Sequence, residues 1–284
     1  MELVPLGPAL GAEVRHLDIS KPLDDATVAA LRDAWLEHGL LLFRDQTLNE
    51  TALADFSHYF GDLEPPPASE RRTRSEAGSE VCPDVWVISN VIENGKAIGS
   101  LGAGEAEWHT DMSYIDEPPS ASILFGLEVP PAGGDTHFAD MYKALDRMPE
   151  DLHSRIAGRK ARHDSSYTSA GDLRLGAEAV VDVTKTPGSI HPIERTHPES
   201  GRQALYLGRR RNGYVEGLPV EESEALLDDL WDYCTRPEFV YVHSWRPGDL
   251  LVWDNRCVIH RRDSFDPSSR RVMLRTQIKG GRAH

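Results

Sequence analysis

The apolar positions of this chain change period part-way along it. Residues 24–39, DDATVAALRDAWLEHG, place Val28, Leu31 and Trp35 at helical spacing, with Asp24 or Asp25 as a cap and Gly39 as a stop. LLLFRD follows directly, a short apolar run that reads as a buried strand. NETALADFSHYFG, residues 49–61, repeats the helical logic: Asn49 caps, Leu53, Phe56 and Phe60 share a face, and Gly61 ends the segment. Residues 65–80, PPPASERRTRSEAGSE, have no apolar periodicity and predict a long loop of the kind that serves as a lid over a site.

Beyond that loop the texture is β-rich. DVWVISNV, SASILFGLEV, GDTHFAD, QALYLG, EFVYVHSW, DLLVWDN and RRVMLRTQIKG are short, aromatic or β-branched, and bounded by Gly, Pro, Asn or Asp. RPGD at 246–249 predicts a turn, since proline presets φ and glycine tolerates φ > 0. Helical patterns interrupt the strands near 140–157 and 221–233. The fold class expected is mixed α+β with a mainly β core, a sandwich or barrel decorated by helices. No glycine-rich loop joins a strand to a helix, which argues against a dinucleotide fold.

At 284 residues the chain is long enough for a large core, and one domain over 1–284 is expected. A net charge of −15 argues against nucleic acid but leaves room for a local anion pocket. Three cysteines, Cys82, Cys234 and Cys257, form no CxxC pair and suggest reduced thiols. The N-terminus lacks the pattern of a secretory signal and no apolar run is long enough for a bilayer, so a cytoplasmic protein without membrane contact is expected.

WHTDM, residues 108–112, holds the candidate chemistry. If this stretch is extended, His109 and Asp111 project to one side and could be two ligands of a metal. A third ligand would complete one face of an octahedron and leave adjacent positions open, as in non-haem iron sites. The competing reading is a hydrated surface turn. His260, ending DLLVWDNRCVIH, is the candidate third ligand, with His243 its nearest rival. His191 and His197 flank prolines and read as turn residues, and His16, His58, His153 and His284 read as exposed. In RRVMLRTQIKGG, Arg271 and Arg275 share a face with Met273 and Gln277, about 13 Å apart along an extended strand. They are either solvated or aimed into a pocket, where a guanidinium would grip a carboxylate.

Together, WHTDMSY, GGDTHFAD, WDNRCVIHRRDSF and RRVMLRT resemble the TauD/TfdA family of Fe(II)- and 2-oxoglutarate-dependent dioxygenases. The likeness runs over nearly the whole chain, and the family's arginine eleven residues after the distant histidine is matched by Arg271 after His260. The resemblance implies a double-stranded β-helix, or jelly roll, with Fe(II) held by His109, Asp111 and His260. It implies 2-oxoglutarate chelating the metal, with its far carboxylate on Arg271 and Thr136, and O2 as the other cosubstrate. Asp111, which relatives that halogenate lack, points to hydroxylation.

Arg275 is the first candidate for anchoring an anionic group of a small organic acid substrate. Arg74 of the lid and Asn90 are weaker candidates, Asn90 being equally explained by a turn. The lid lacks the histidine of a taurine-type sulfonate pocket, which puts taurine in doubt. The basic run Arg209, Arg210 and Arg211 is read as a solvated turn or as a substrate or subunit contact. A homo-oligomer, dimer or tetramer, is expected. Two other classes stay open: a metal-dependent hydrolase using the same ligands, and a non-catalytic jelly-roll binding protein.

Overall fold

Local capping sets the first elements. In the structure, a computed structural model describing residues 1–66 and 82–283, the helix Asp25–His38 starts where the Asp24 side chain accepts from the Thr27 amide at 2.7 Å. It ends at Gly39, whose φ of 68° lies in the left-handed region that glycine enters without strain. The strand Leu40–Phe43 follows with all four side chains buried. Asn49 caps the helix Glu50–Ser57 through the Ala52 amide. That helix stops before Gly61, because residues 58–60 turn, yet Phe60 still packs edge-on against Trp35 and Phe56. The helical region near 140–157 is two pieces, Met141–Asp146 and Glu150–Ile156, and a fifth helix spans Val220–Cys234.

Two sheets face one another as a double-stranded β-helix. Among the described residues the larger sheet has nine strands. Within it Val272–Ile278 pairs antiparallel with Ala121–Glu128 on one side and Trp86–Ser89 on the other. The smaller sheet runs Val240–His243, Thr136–Asp140, Val258–Arg262, Ala106–His109. Strand alternation divides the core. Met273 joins Phe138, Leu124 and Trp253 between the sheets, whereas Val272, Leu274 and Ile278 face the cluster of Leu31, Trp35 and Phe56. Arg271 and Arg275 share the parity of Met273, and both are buried rather than solvated.

His191 and His197, expected in turns, are both buried. His191 lies within the strand Ile190–Pro192, and His197 bonds Asp254 at 3.0 Å. Pro192 ends that strand, whereas Pro198 does open a turn over residues 198–200, with the His197 carbonyl accepting from the Gly201 amide across it. His153, expected to be exposed, is half-buried against Glu194. No helix among the described residues is long and apolar enough to cross a membrane.

Candidate functional site

The smaller sheet brings two histidines together. His109 ends its strand directly opposite His260, and the ring centroids lie 4.2 Å apart. The WHTDM stretch is extended only as far as His109, so the same-side projection of an extended HxD does not apply. The strand stops at His109, Asp111 opens a turn, and Met112 takes a φ of 47°. The turn carries Asp111 Oδ1 to 3.3 Å from His109 Nε2 and 3.7 Å from His260 Nε2. One ligand atom from each of the three buried residues lies within 4.8 Å of the others.

These donors suit a divalent cation. The carbonyl of Glu107 accepts from His109 Nδ1 at 2.7 Å, which fixes that tautomer and leaves Nε2 with its lone pair toward the cluster. Burial, with His109 adjacent, holds the His260 imidazole well below its ordinary pKa and so neutral. Burial pushes the Asp111 carboxyl up, but the Arg275 guanidinium outweighs it and holds the carboxyl well below the usual range. The two oxygens have separate partners. Oδ1 faces the imidazoles, whereas Oδ2 accepts from Ser122 Oγ at 2.7 Å and from the Arg275 guanidinium. Ser122 in turn lies 3.0 Å from both Asn255 Nδ2 and Gln277 Nε2.

A cavity opens on each side of this cluster. The first is lined by Leu124, Thr136, Trp253, His260, Arg262 and Arg271, among others. Arg271 is 2% exposed, and its Nε has no partner among the described residues. Burial, with Arg262 nearby, pushes its pKa down to about 9, and burial pushes Arg262 down to about 10. Thr136 Oγ1 accepts from Trp245 Nε1 at 2.9 Å, which leaves its own O–H free to donate elsewhere. An anionic group in this cavity would relieve the desolvated guanidinium.

The second cavity is lined by Trp86, Met112, Tyr114, Arg174, Arg209 and Arg275, among others. His109, Ser169 and Arg275 border both spaces, so the ligand cluster forms the partition between them. The basic run is split by its local backbone. Arg209, bridged across from His109, points inward and is buried. Arg210 pairs outside with Glu224 and Asp228, and Arg211 bonds the Gly171 carbonyl at 3.0 Å.

The "Taurine catabolism dioxygenase TauD, TfdA family" pattern matches residues 2–277. The chain belongs to this family. It is 36% identical to the alpha-ketoglutarate-dependent 2,4-dichlorophenoxyacetate dioxygenase of Cupriavidus pinatubonensis, with 95% of each chain covered. It is 33% identical to the (S)-phenoxypropionate/alpha-ketoglutarate-dioxygenase of Sphingobium herbicidovorans, covering 98% of this chain and 95% of that one. The solved structure of AAD-2 in complex with Mn(II) and N-oxalylglycine superposes with a TM-score of 0.78 at 29% identity, covering 99% and 98% of the two chains.

Within this TauD/TfdA protein the expected residues are unevenly placed. His109, Asp111 and His260 converge, and Thr136 and Arg271 share the first cavity. Arg275, expected only as a substrate anchor, also contacts a candidate ligand. Asn90, expected at the pocket, donates to the carbonyls of Pro267 and Ser269 and accepts from the Arg271 amide. It fastens the turn that precedes the last strand, rather than a turn at the end of its own strand. Arg74 and all but the first two residues of the expected lid lie outside the described residues. The sequence reading missed Ser122, Arg174, Arg262 and Tyr114. Arg262 had a signal: it lies two residues after His260, on the same strand face.

Proposed function

We propose that this dioxygenase hydroxylates an unactivated C–H of a small organic acid, using Fe(II) and O2 and converting 2-oxoglutarate to succinate and CO2. His109, Asp111 and His260 would hold the metal. Arg271, with Thr136, would hold the far carboxylate of 2-oxoglutarate in the first cavity. Fe(II) with 2-oxoglutarate bound supplies the O2 activation and the oxidising power.

The chain's own residues do the rest. Two neutral imidazoles and one carboxylate leave a divalent metal site at a net +1, so a dianionic cosubstrate meets a cation at either end. The phenyl-ring acids of the two relatives above carry one carboxylate each, which supports an acid substrate in the second cavity, beside Arg275. Trp86 and Trp253 flank the Arg275 guanidinium at 5.2 and 6.0 Å from their centroids, which limits its water contact and strengthens its hold on an anion. Residues 1–284 would act as one catalytic domain.

The observation that carries this reading is the partition: a buried two-histidine, one-carboxylate cluster between two arginine-bearing cavities. A hydrolase would need the cluster but not Arg271 and Thr136 across the first cavity from it. The test is an anaerobic titration of apo-protein with Fe(II) and 2-oxoglutarate, followed by visible absorption. A metal-to-ligand charge-transfer band is expected in the parent and not in His109→Ala. Folded, metal-binding protein without the band would reject the proposal.

A further inference from the structure

We propose that the second cavity takes a substrate head group carrying two negative charges, clamped between Arg174 and Arg209. The inference rests on the dioxygenase reading for where the substrate sits, and on the charge of the cavity wall for what it is.

Arg174 Nε donates to the Tyr167 carbonyl at 3.1 Å, and an Arg209 Nη donates to the same oxygen. Two like charges are thus held together on one neutral acceptor, an arrangement that is unfavourable in an empty pocket. Neither has a carboxylate within hydrogen-bonding distance among the described residues. Arg209 is 8% exposed, and its Nε has no partner there. Asp164 is near enough to be felt by Arg209, but its oxygens accept from the Ser166 amide and Asn212. The other carboxylate near this wall, Asp111, is already engaged by Arg275.

Among the described residues the balance on the cavity wall is therefore three guanidiniums against one carboxylate. A monoanion would leave one of the two, buried Arg209 or half-buried Arg174, uncompensated, whereas a dianion matches both. The forked donors of Arg174 and Arg209, fixed on one carbonyl, favour charges that lie close together. The Tyr114 ring supports Arg174 from below, 4.6 Å from its guanidinium carbon. Thr168 and Ser169 add neutral polar side chains to the same wall.

Methyl phosphate and methyl sulfate test this directly, because they share a shape and differ by one charge at about pH 8, well above the second phosphate ionisation. Each is titrated calorimetrically into anaerobic protein loaded with Fe(II) and 2-oxoglutarate. Methyl phosphate should bind at least about tenfold more tightly, the scale of one charge-assisted bond. Arg174→Gln should bring the two affinities together. Arg209→Lys, which keeps the charge and loses the fork, should narrow the gap. Methylmalonate locates the charges: binding as tight as the phosphate means two carboxylates, and weaker binding means one doubly charged centre. Equal affinities in the parent, no detectable phosphate binding, or a preference that survives both substitutions would overturn the inference. The charge-transfer band is recorded on the same samples. Its presence without a phosphate preference rejects the dianion and leaves the dioxygenase; a preference without the band does the reverse.

Discussion

The Asp111 carboxylate divides its work between its two oxygens, and a neutral hydroxyl governs the division. Ser122 Oγ donates to Oδ2 and sits where Asn255 and Gln277 can both donate to it. A ligand held from behind keeps its free oxygen aimed at the metal. Ser122→Ala should therefore weaken Mn(II) binding by about 10- to 100-fold, measured by calorimetry on folded protein. Its stability should fall by about 1–3 kcal/mol, because two buried amides lose an acceptor. Mn(II) affinity equal to the parent's would mean that Arg275 alone orients Asp111. The ligand itself gives a sharper outcome: Asp111→Ala should abolish hydroxylation, read as succinate and product together. Arg271→Met should separate the two cavities. It should weaken 2-oxoglutarate binding by about 10- to 100-fold, the value of a charge-assisted bond, and leave Mn(II) affinity unchanged. Parallel loss of both would place Arg271 in the fold rather than at the cosubstrate.

At the scale of elements, the site depends on how closely two segments approach. The Thr110 amide donates to the Gly208 carbonyl at 3.0 Å, and this contact sets the turn that carries Asp111. A Cβ on Gly208 would lie 2.6 Å from His163 Nδ1 and 2.9 Å from Ser113 Oγ. Gly208→Ala should therefore cost about 1–3 kcal/mol by overpacking, and should displace Arg209 and Asp111 together. Denaturant unfolding would measure the first effect, and Mn(II) affinity the second. Full metal affinity in that variant would mean that the turn tolerates the shift. This dependence on remote partners also explains what could be read from the sequence. The two capped helices were legible because Asp24, Gly39 and Asn49 act within a turn of themselves. The ligand pattern was legible because His109–Asp111 and His260–Arg271 are each short in sequence. Ser122 and Arg174 were not, since their roles come from pairing distant strands and from a loop without periodicity. His197 does border a turn, at 198–200, but its burial was not legible because its partner, Asp254, is on another strand.

Across the whole molecule, the buried imidazoles set the acid limit. His163 is 2% exposed, and neither ring nitrogen has a partner among the described residues. Burial, with His191 and Arg209 beside it, holds its pKa well below 6.5. Burial also lowers His191, His260 and His243, the last despite the carboxylate of Asp249. A histidine with a depressed folded pKa binds its proton first in the unfolded chain. The stability it contributes is therefore complete above the unfolded value of about 6.5 and declines as pH falls below it, by up to about 1.4 kcal/mol per pH unit for each group. The depressed carboxylates act elsewhere. Arg256 and His197 outweigh the burial of Asp254 and hold its carboxyl low, so its contribution is kept until pH falls below about 4. Between about pH 6.5 and 5 the histidines should thus dominate. Metal-free protein, unfolded by urea across that range, should lose stability with a slope of several protons. His163→Phe keeps a ring of similar size without the titrating nitrogens, and the slope should fall by about one proton. An unchanged slope would mean that His163 is protonated inside the fold, in contact with an acceptor such as water.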